Sequence, residues 1–370
     1  MLKRTLLPLS LAVLMMIILT GCFQGEQSLD NEEMDPPPDA EATDDKKEKT
    51  DEGESDENKD GEGKEKKSEN QDNKTSETVE RQLYLFDANG MVAPQKLEIP
   101  EPDSKAVAEQ SLEYLVKDGP VTSLLPNGFE AVLPAGTEIL GLNLEENGTM
   151  IVDVSKEFEN YKAEDELEVL EAMTYTLTQY DTVDEMKLRI DGNPQESMPV
   201  DGTPIADGYS RANGINLVQN GTVDLLGSES VTLYYPSAQG DNKYFVPVTE
   251  HINVDSDHVY ESAVQALMQG PAMDTNLQHV FNQSVELTSH PELDDDGVLE
   301  MVFNQEVLED NDDAIISNDV MGTLVRTLTQ DKEIEAIDVK VEDVETLFNE
   351  NGKAYTEPVT VQSFTGIEKL

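Results

Sequence analysis

Four histidines, one cysteine and a large excess of carboxylates are the side chains that could carry chemistry in this 370-residue chain. His251, His258, His279 and His290 form no His-Glu-x-x-His pair, the spacing that sets two imidazoles on one helix face around zinc. With one cysteine in the chain, no zinc set can be built from thiolates. The sequence has no Gly-x-Ser-x-Gly elbow, no phosphate-binding loop and no Gly-x-Gly-x-x-Gly turn. Asn253-x-Asp255-x-Asp257 begins like a calcium loop, but His258 stands where glycine is needed and Val264 where the bidentate glutamate belongs. That segment reads as a helix cap, with Asp255 or Ser256 before Val259. Asp310, Asp312 and Asp313 read as the solvated start of a helix. Glu157 could be a ligand, and reads more simply as a turn or helix-start residue. Carboxylate pairs are so abundant that none singles out a glycosidase mechanism. Trp is absent, and 9 Phe with 11 Tyr leave little for stacking sugars. The expectation is a chain with no catalytic residue, no cofactor and no metal site.

The lone cysteine implies a different chemistry. Lys3 and Arg4 precede an apolar run from Leu6 to Leu19, and Thr20-Gly21-Cys22 follows. A short basic region, an apolar core and small residues before the cut are the parts of a secretory signal. The run is short for a membrane span, which needs about 20 residues. Together these read as a bacterial lipobox, with residues 1–21 removed and the Cys22 thiol carrying a diacylglyceryl group. No disulfide within the chain is possible.

Residues 22–80 read as a tether. Positions 23–80 hold 22 Asp/Glu and 8 Lys, with three consecutive prolines at Pro36 to Pro38. Such a segment cannot bury enough apolar surface to offset chain entropy, so disorder is expected. As a flexible coil it would reach about 40–45 Å from end to end, and further under its own charge repulsion. Acidity continues beyond it: residues 81–370 carry 56 acidic against 15 Lys/Arg side chains. That balance argues against nucleic acid and against binding anionic lipid or wall polymer through charge. It suits a basic partner, or an alkaline or salty exterior.

The elements that would position any site come in duplicate. Met173-Thr174-Tyr175-Thr176-Leu177-Thr178-Gln179 recurs as Leu324-Val325-Arg326-Thr327-Leu328-Thr329-Gln330. Leu170, Met173 and Leu177 match Met321, Leu324 and Leu328, one apolar face of a helix. Downstream, Met186 to Ile190 matches Ile337 to Val341, two strict apolar/polar alternations. Gly119-Pro120 and Gly270-Pro271 stop a helix in each half. A duplicated domain follows: residues 81–218 and 229–370, each ordered ββαββαβ with mixed strand pairing. The fold class is α+β, two tandem mixed sheets with two helices each, and both copies are long enough for a core of their own.

Lipobox, acidic tether and doubled module resemble the GerM-type sporulation and germination lipoproteins, whose repeated unit is the GerMN domain. The matching pieces are Leu233-Tyr234-Tyr235-Pro236, the paired Gly-Pro stops, Gly148 and Gly297 before a hairpin strand, and the paired Thr-Leu-Thr-Gln helices. Ser210-Arg211-Ala212-Asn213-Gly214-Ile215-Asn216 resembles the family's Arg-rich tail ending in Asn, and the second copy departs there with Phe364-Thr365-Gly366-Ile367. The resemblance implies a non-enzymatic scaffold held on the outer face of the membrane, including the space between the membranes of a developing spore. Its partners would be envelope proteins, with peptidoglycan as a further candidate and no nucleic acid. A lipoprotein that binds a small ligand or modifies peptidoglycan is the alternative reading.

Overall fold

The structure is a computed structural model describing residues 78–102, 106–218, 228–255, 258–273 and 275–368. The signal segment, Cys22 and the tether up to residue 77 lie outside the described residues.

The first copy opens with β1 (Thr78–Phe86) and β2 (Val92–Pro100), an antiparallel hairpin. Its turn is closed by Asp87, whose Oδ1 accepts the Asn89 and Met91 N–H groups at 2.8 and 2.9 Å, and by Gly90 at φ +79°. The strand starts three residues inside the expected tether, because Thr78 to Glu80 pair with Glu98 to Pro100. A ladder needs only backbone groups, so these mostly polar residues gave no apolar signal. Helix α1 (Val107–Glu113) follows. It ends well before Gly119-Pro120: Val116 leaves the helix to bridge Leu133, and the Leu115 carbonyl accepts from the Val132 and Leu133 N–H groups. Gly119 instead starts a short 3-10 turn.

Next come β3 (Ile139–Leu144), β4 (Thr149–Val154), α2 (Glu166–Leu177), β5 (Glu185–Ile190), β6 (Asn193–Pro194) and β7 (Tyr209–Ser210). The sheet order is β3-β4-β5-β6, with β7 also on β5. β3 and β4 are an antiparallel hairpin, while β4 and β5 are parallel because α2 crosses between them.

The second copy repeats the plan with β8 (Ser228–Gln239), β9 (Asn242–Asn253), α3 (Val259–Gln269), β10 (Glu292–Leu293), β11 (Val298–Phe303), α4 (Asn318–Leu328) and β12 (Ala336–Val341), then adds α5 (Val361–Glu368). β8 begins one residue before the expected boundary at 229. α3 has the expected bounds, and Gly270 at φ +82° caps it. The expected ββαββαβ order is present in both copies.

Central helices α2 and α4 are nearly enclosed, with Leu177 0% and Leu328 4% exposed. The recurring Thr-Leu-Thr-Gln pins each helix to the first strand of its own hairpin. Thr176 Oγ1 accepts the Tyr84 N–H at 3.1 Å, and Thr327 Oγ1 accepts the Tyr234 N–H at 2.9 Å. Gln179 Nε2 donates to the Gln82 carbonyl and Gln330 Nε2 to the Thr232 carbonyl. The other threonine, Thr178 or Thr329, donates back to the carbonyl four residues earlier.

Each copy is long enough for a core of its own, yet the two share one. A single hydrophobic cluster runs through both copies. The tail after β7 crosses to β9, where Val218 bridges Glu250 and the Thr249 N–H donates to the Ile215 carbonyl. Buried Asn216 holds both halves: its Oδ1 accepts the Val92 N–H, and its Nδ2 donates to the Val92 and Pro247 carbonyls at 2.8 and 2.7 Å. Tyr244 donates to Asp87 at 2.9 Å and meets the Phe129 ring edge-on. The hairpins therefore pack on each other as well as on the helices of their own copies.

Candidate functional site

The tail that resembles the family motif works inside the protein. Arg211 lies over the Tyr175 ring at 4.4 Å, and its guanidinium donates to the Tyr175 carbonyl and Thr178 Oγ1. Position 326 in the second copy matches Tyr175, and there the helix supplies the cation. Arg326 stacks on Phe245 at 4.2 Å and on Phe364 of α5 at 5.2 Å. The departure of the second tail is thus an exchange of roles between helix and tail. Gly322 makes room for it, since a Cβ there would sit 2.4 Å from Phe245 and 2.9 Å from Phe364.

Gly322 matches Glu171 of the first copy. Glu171 is fully buried, its Oε2 accepts the Asn216 N–H at 2.9 Å, and burial pushes its carboxyl up to about 8. Glu166, five residues earlier at the start of α2, is a different case. Burial works to raise it, but the Asp201 and Thr203 N–H groups outweigh that and hold it below the usual carboxylate range. It anchors the loop at residues 200–203 and is structural.

The sequence-derived candidates fall apart as a set. Glu157 is an exposed residue of a 3-10 turn, and the Ser155 hydroxyl holds its carboxyl below the ordinary value. Asp310 accepts the N–H groups of Asp312 and Asp313 in an exposed turn, several residues before α4. Of the calcium-like run, Asn253 ends β9 and Ser256 and Asp257 lie outside the described residues. The cap position of α3 is His258, three residues after Asp255, and its N–H donates to the Asp255 carbonyl.

Three residues come together that the sequence reading kept apart. His258 and Glu261 share a face of the first turn of α3, and His290 reaches them from the segment before β10. The His258 and His290 rings stack at 4.0 Å, 5° from parallel, and His290 Nδ1 meets Glu261 Oε2. One ligand atom from each lies within 4.8 Å of the others. The i, i+3 pair was legible, but nothing in the sequence ties it to a histidine 29 residues from Glu261. His251 instead faces Ser230 across the β8–β9 ladder, and His279 meets the Met268 carbonyl.

The third feature is β3 itself. It is the terminal strand of its sheet, and Ile-Leu-Gly-Leu-Asn-Leu carries no charge in a chain of net charge −53. Leu140 and Leu144 are 49% and 43% exposed. The second copy offers only the two residues of β10 there, followed by Asp294, Asp295 and Asp296.

Comparison with known proteins gives one answer. The family model "Germane: Sporulation and spore germination" matches twice, at residues 82–196 and 232–346. The chain is 39% identical over 348 residues to the spore germination protein GerM of Bacillus subtilis (strain 168), with 93% of each chain covered. The solved tandem GerMN domains of the sporulation protein GerM from Bacillus subtilis match with a TM-score of 0.69 and 42% identity, over 76% of this chain and 98% of that one. With its helix–hairpin clip made twice and its two halves sharing a core, the chain belongs to the Germane family of sporulation and spore germination proteins.

Proposed function

We propose that the chain is a lipid-anchored, non-enzymatic assembly protein of the spore-forming envelope, held on the outer face of the membrane through Cys22. It recruits a partner protein by strand addition along β3. The observation that carries this reading is the uncharged, partly exposed edge Ile139–Leu144 in so acidic a chain. Sheet edges are ordinarily blunted by charge, proline or cover, because an open row of N–H and C=O groups pairs readily with another strand. In strand addition those groups supply affinity and alternate side chains supply specificity. Glu138, Glu145 and Glu146 flank the edge, so the partner segment is extended and apolar with basic ends. The two copies are then unequal: the first docks, and the second braces it through the shared core.

Leu140→Lys with Leu144→Lys tests this, since both side chains are exposed and their loss should leave the fold intact. Recruitment to the spore envelope should fall by roughly tenfold or more, which corresponds to about 1.4 kcal/mol. Leu293→Lys on β10 should have little effect. Full recruitment of the double variant, with an unchanged thermal midpoint, would refute docking at β3.

A further inference from the structure

We propose that His258, Glu261 and His290 form a binding site for a divalent first-row transition ion, of which Zn2+ is the best fit. The site lies in the second copy and has no counterpart in the proposed docking edge. Two imidazoles and one carboxylate are a donor set that such ions favour, and that Ca2+ and Mg2+, which prefer oxygen alone, do not. Fold and chemistry meet here. His258 caps α3 and Glu261 follows one turn on, so helix geometry fixes two donors on one face. His290 enters from a different part of the chain and already contacts Glu261. The three donor atoms lie within 4.8 Å of one another. An ion held at about 2.0–2.2 Å from each draws them closer still.

The parallel ring stack defines the one movement needed. Lone pairs of imidazole lie in the ring plane, so two parallel rings 4.0 Å apart cannot both aim at one ion. One ring must turn about its Cβ–Cγ bond. The His290 side chain is 62% exposed and has room to do so, while His258 and Glu261 stay on the helix. Three protein donors leave a tetrahedral ion one position open toward solvent.

The consequence is a staple. Residues 270–291 join α3 to β10 with no helix or long strand among the described residues. The ion would fasten the far end of this segment to the first turn of α3. It would also set one positive centre on a strongly acidic surface.

The test is a titration of the full-length chain with Zn2+, in millimolar Ca2+ to occupy surface carboxylates. One saturable site per chain is expected, with a rise in thermal midpoint. His258→Ala and His290→Ala should each weaken it by more than about 100-fold, beyond the 10–100-fold typical of losing an outer partner. His251→Ala should bind as the parent does. His258 makes no side-chain capping hydrogen bond, so its removal should leave the metal-free midpoint in place. Co2+ on the unaltered chain gives a second readout that needs no variant: intense visible bands of a four-coordinate, imidazole-bound ion are expected. Absence of a saturable Zn2+ site, parent-like binding by either His→Ala variant, or a weak six-coordinate Co2+ spectrum would overturn the proposal.

Discussion

Glu171 is the residue at which the joint between the copies becomes sensitive to pH. Its carboxyl is raised by burial to about 8 in the folded chain, against about 4.3 for an ordinary glutamate. A raised folded value means that the stabilising form is the protonated one. Its contribution is complete below about pH 4.3 and is lost as pH rises toward about 8, at roughly 1.4 kcal/mol per pH unit within that window. Glu171→Gln keeps an acceptor for the Asn216 N–H and removes the titration. Denaturant unfolding at several pH values should therefore show the variant more stable than the parent near pH 8 and the two converging near pH 5. A parallel pair of curves would contradict the assignment. Glu171 was illegible in the sequence, because a glutamate between Leu170 and Ala172 looks like one more solvated carboxylate in an acidic helix. The 214–218 tail closes over it, with the Asn216 N–H on its carboxylate, and that tail is remote in sequence.

Helices α2 and α4 show what a repeated motif was repeated for. The apolar spacing and strand alternation were readable, and so was the order of elements, because periodicity reports which face is buried. The polar half of Thr-Leu-Thr-Gln was equally visible, but its partners were not: Tyr84 and Tyr234 lie more than 90 residues away. Thr176→Val keeps the shape and deletes the acceptor of the buried Tyr84 N–H. A loss of about 1–3 kcal/mol is expected for that orphaned donor, measured by chemical unfolding. Thr178→Val, whose hydroxyl donates back along its own helix and accepts from Arg211 at the partly buried end of α2, should cost less. Equal effects would mean that the clip adds nothing beyond local packing. The end of α1 was misread for a related reason: a tertiary bridge from Val116 to Leu133 unwinds it before its Gly-Pro stop.

At the scale of the whole molecule the proposed lipid anchor on Cys22 is the first matter. Each buried methylene of a lipid chain adds about 0.8 kcal/mol of membrane affinity, so loss of the diacylglyceryl group should decide the partition. Cys22→Ala should move the chain from the membrane pellet to the soluble fraction, and a variant that stays bound through an alkaline wash would rule the anchor out. The shared core has the opposite standing, since two copies of similar length and pattern gave no sign that Asn216 would join Val92 to Pro247. That joint makes the exchanged roles of Arg211 and Arg326 matter while the chain is still folding. Tandem units of like sequence are prone to capture each other's segments. If the first tail closed on the second helix, Arg211 would meet Arg326, two cations forced together beside the core. If the second tail closed on the first helix, Phe364 would meet Tyr175 with no cation between them. Opposite polarity in the two closures thus favours each tail on its own helix, since one wrong pairing sets two cations together and the other forgoes the cation–ring contact.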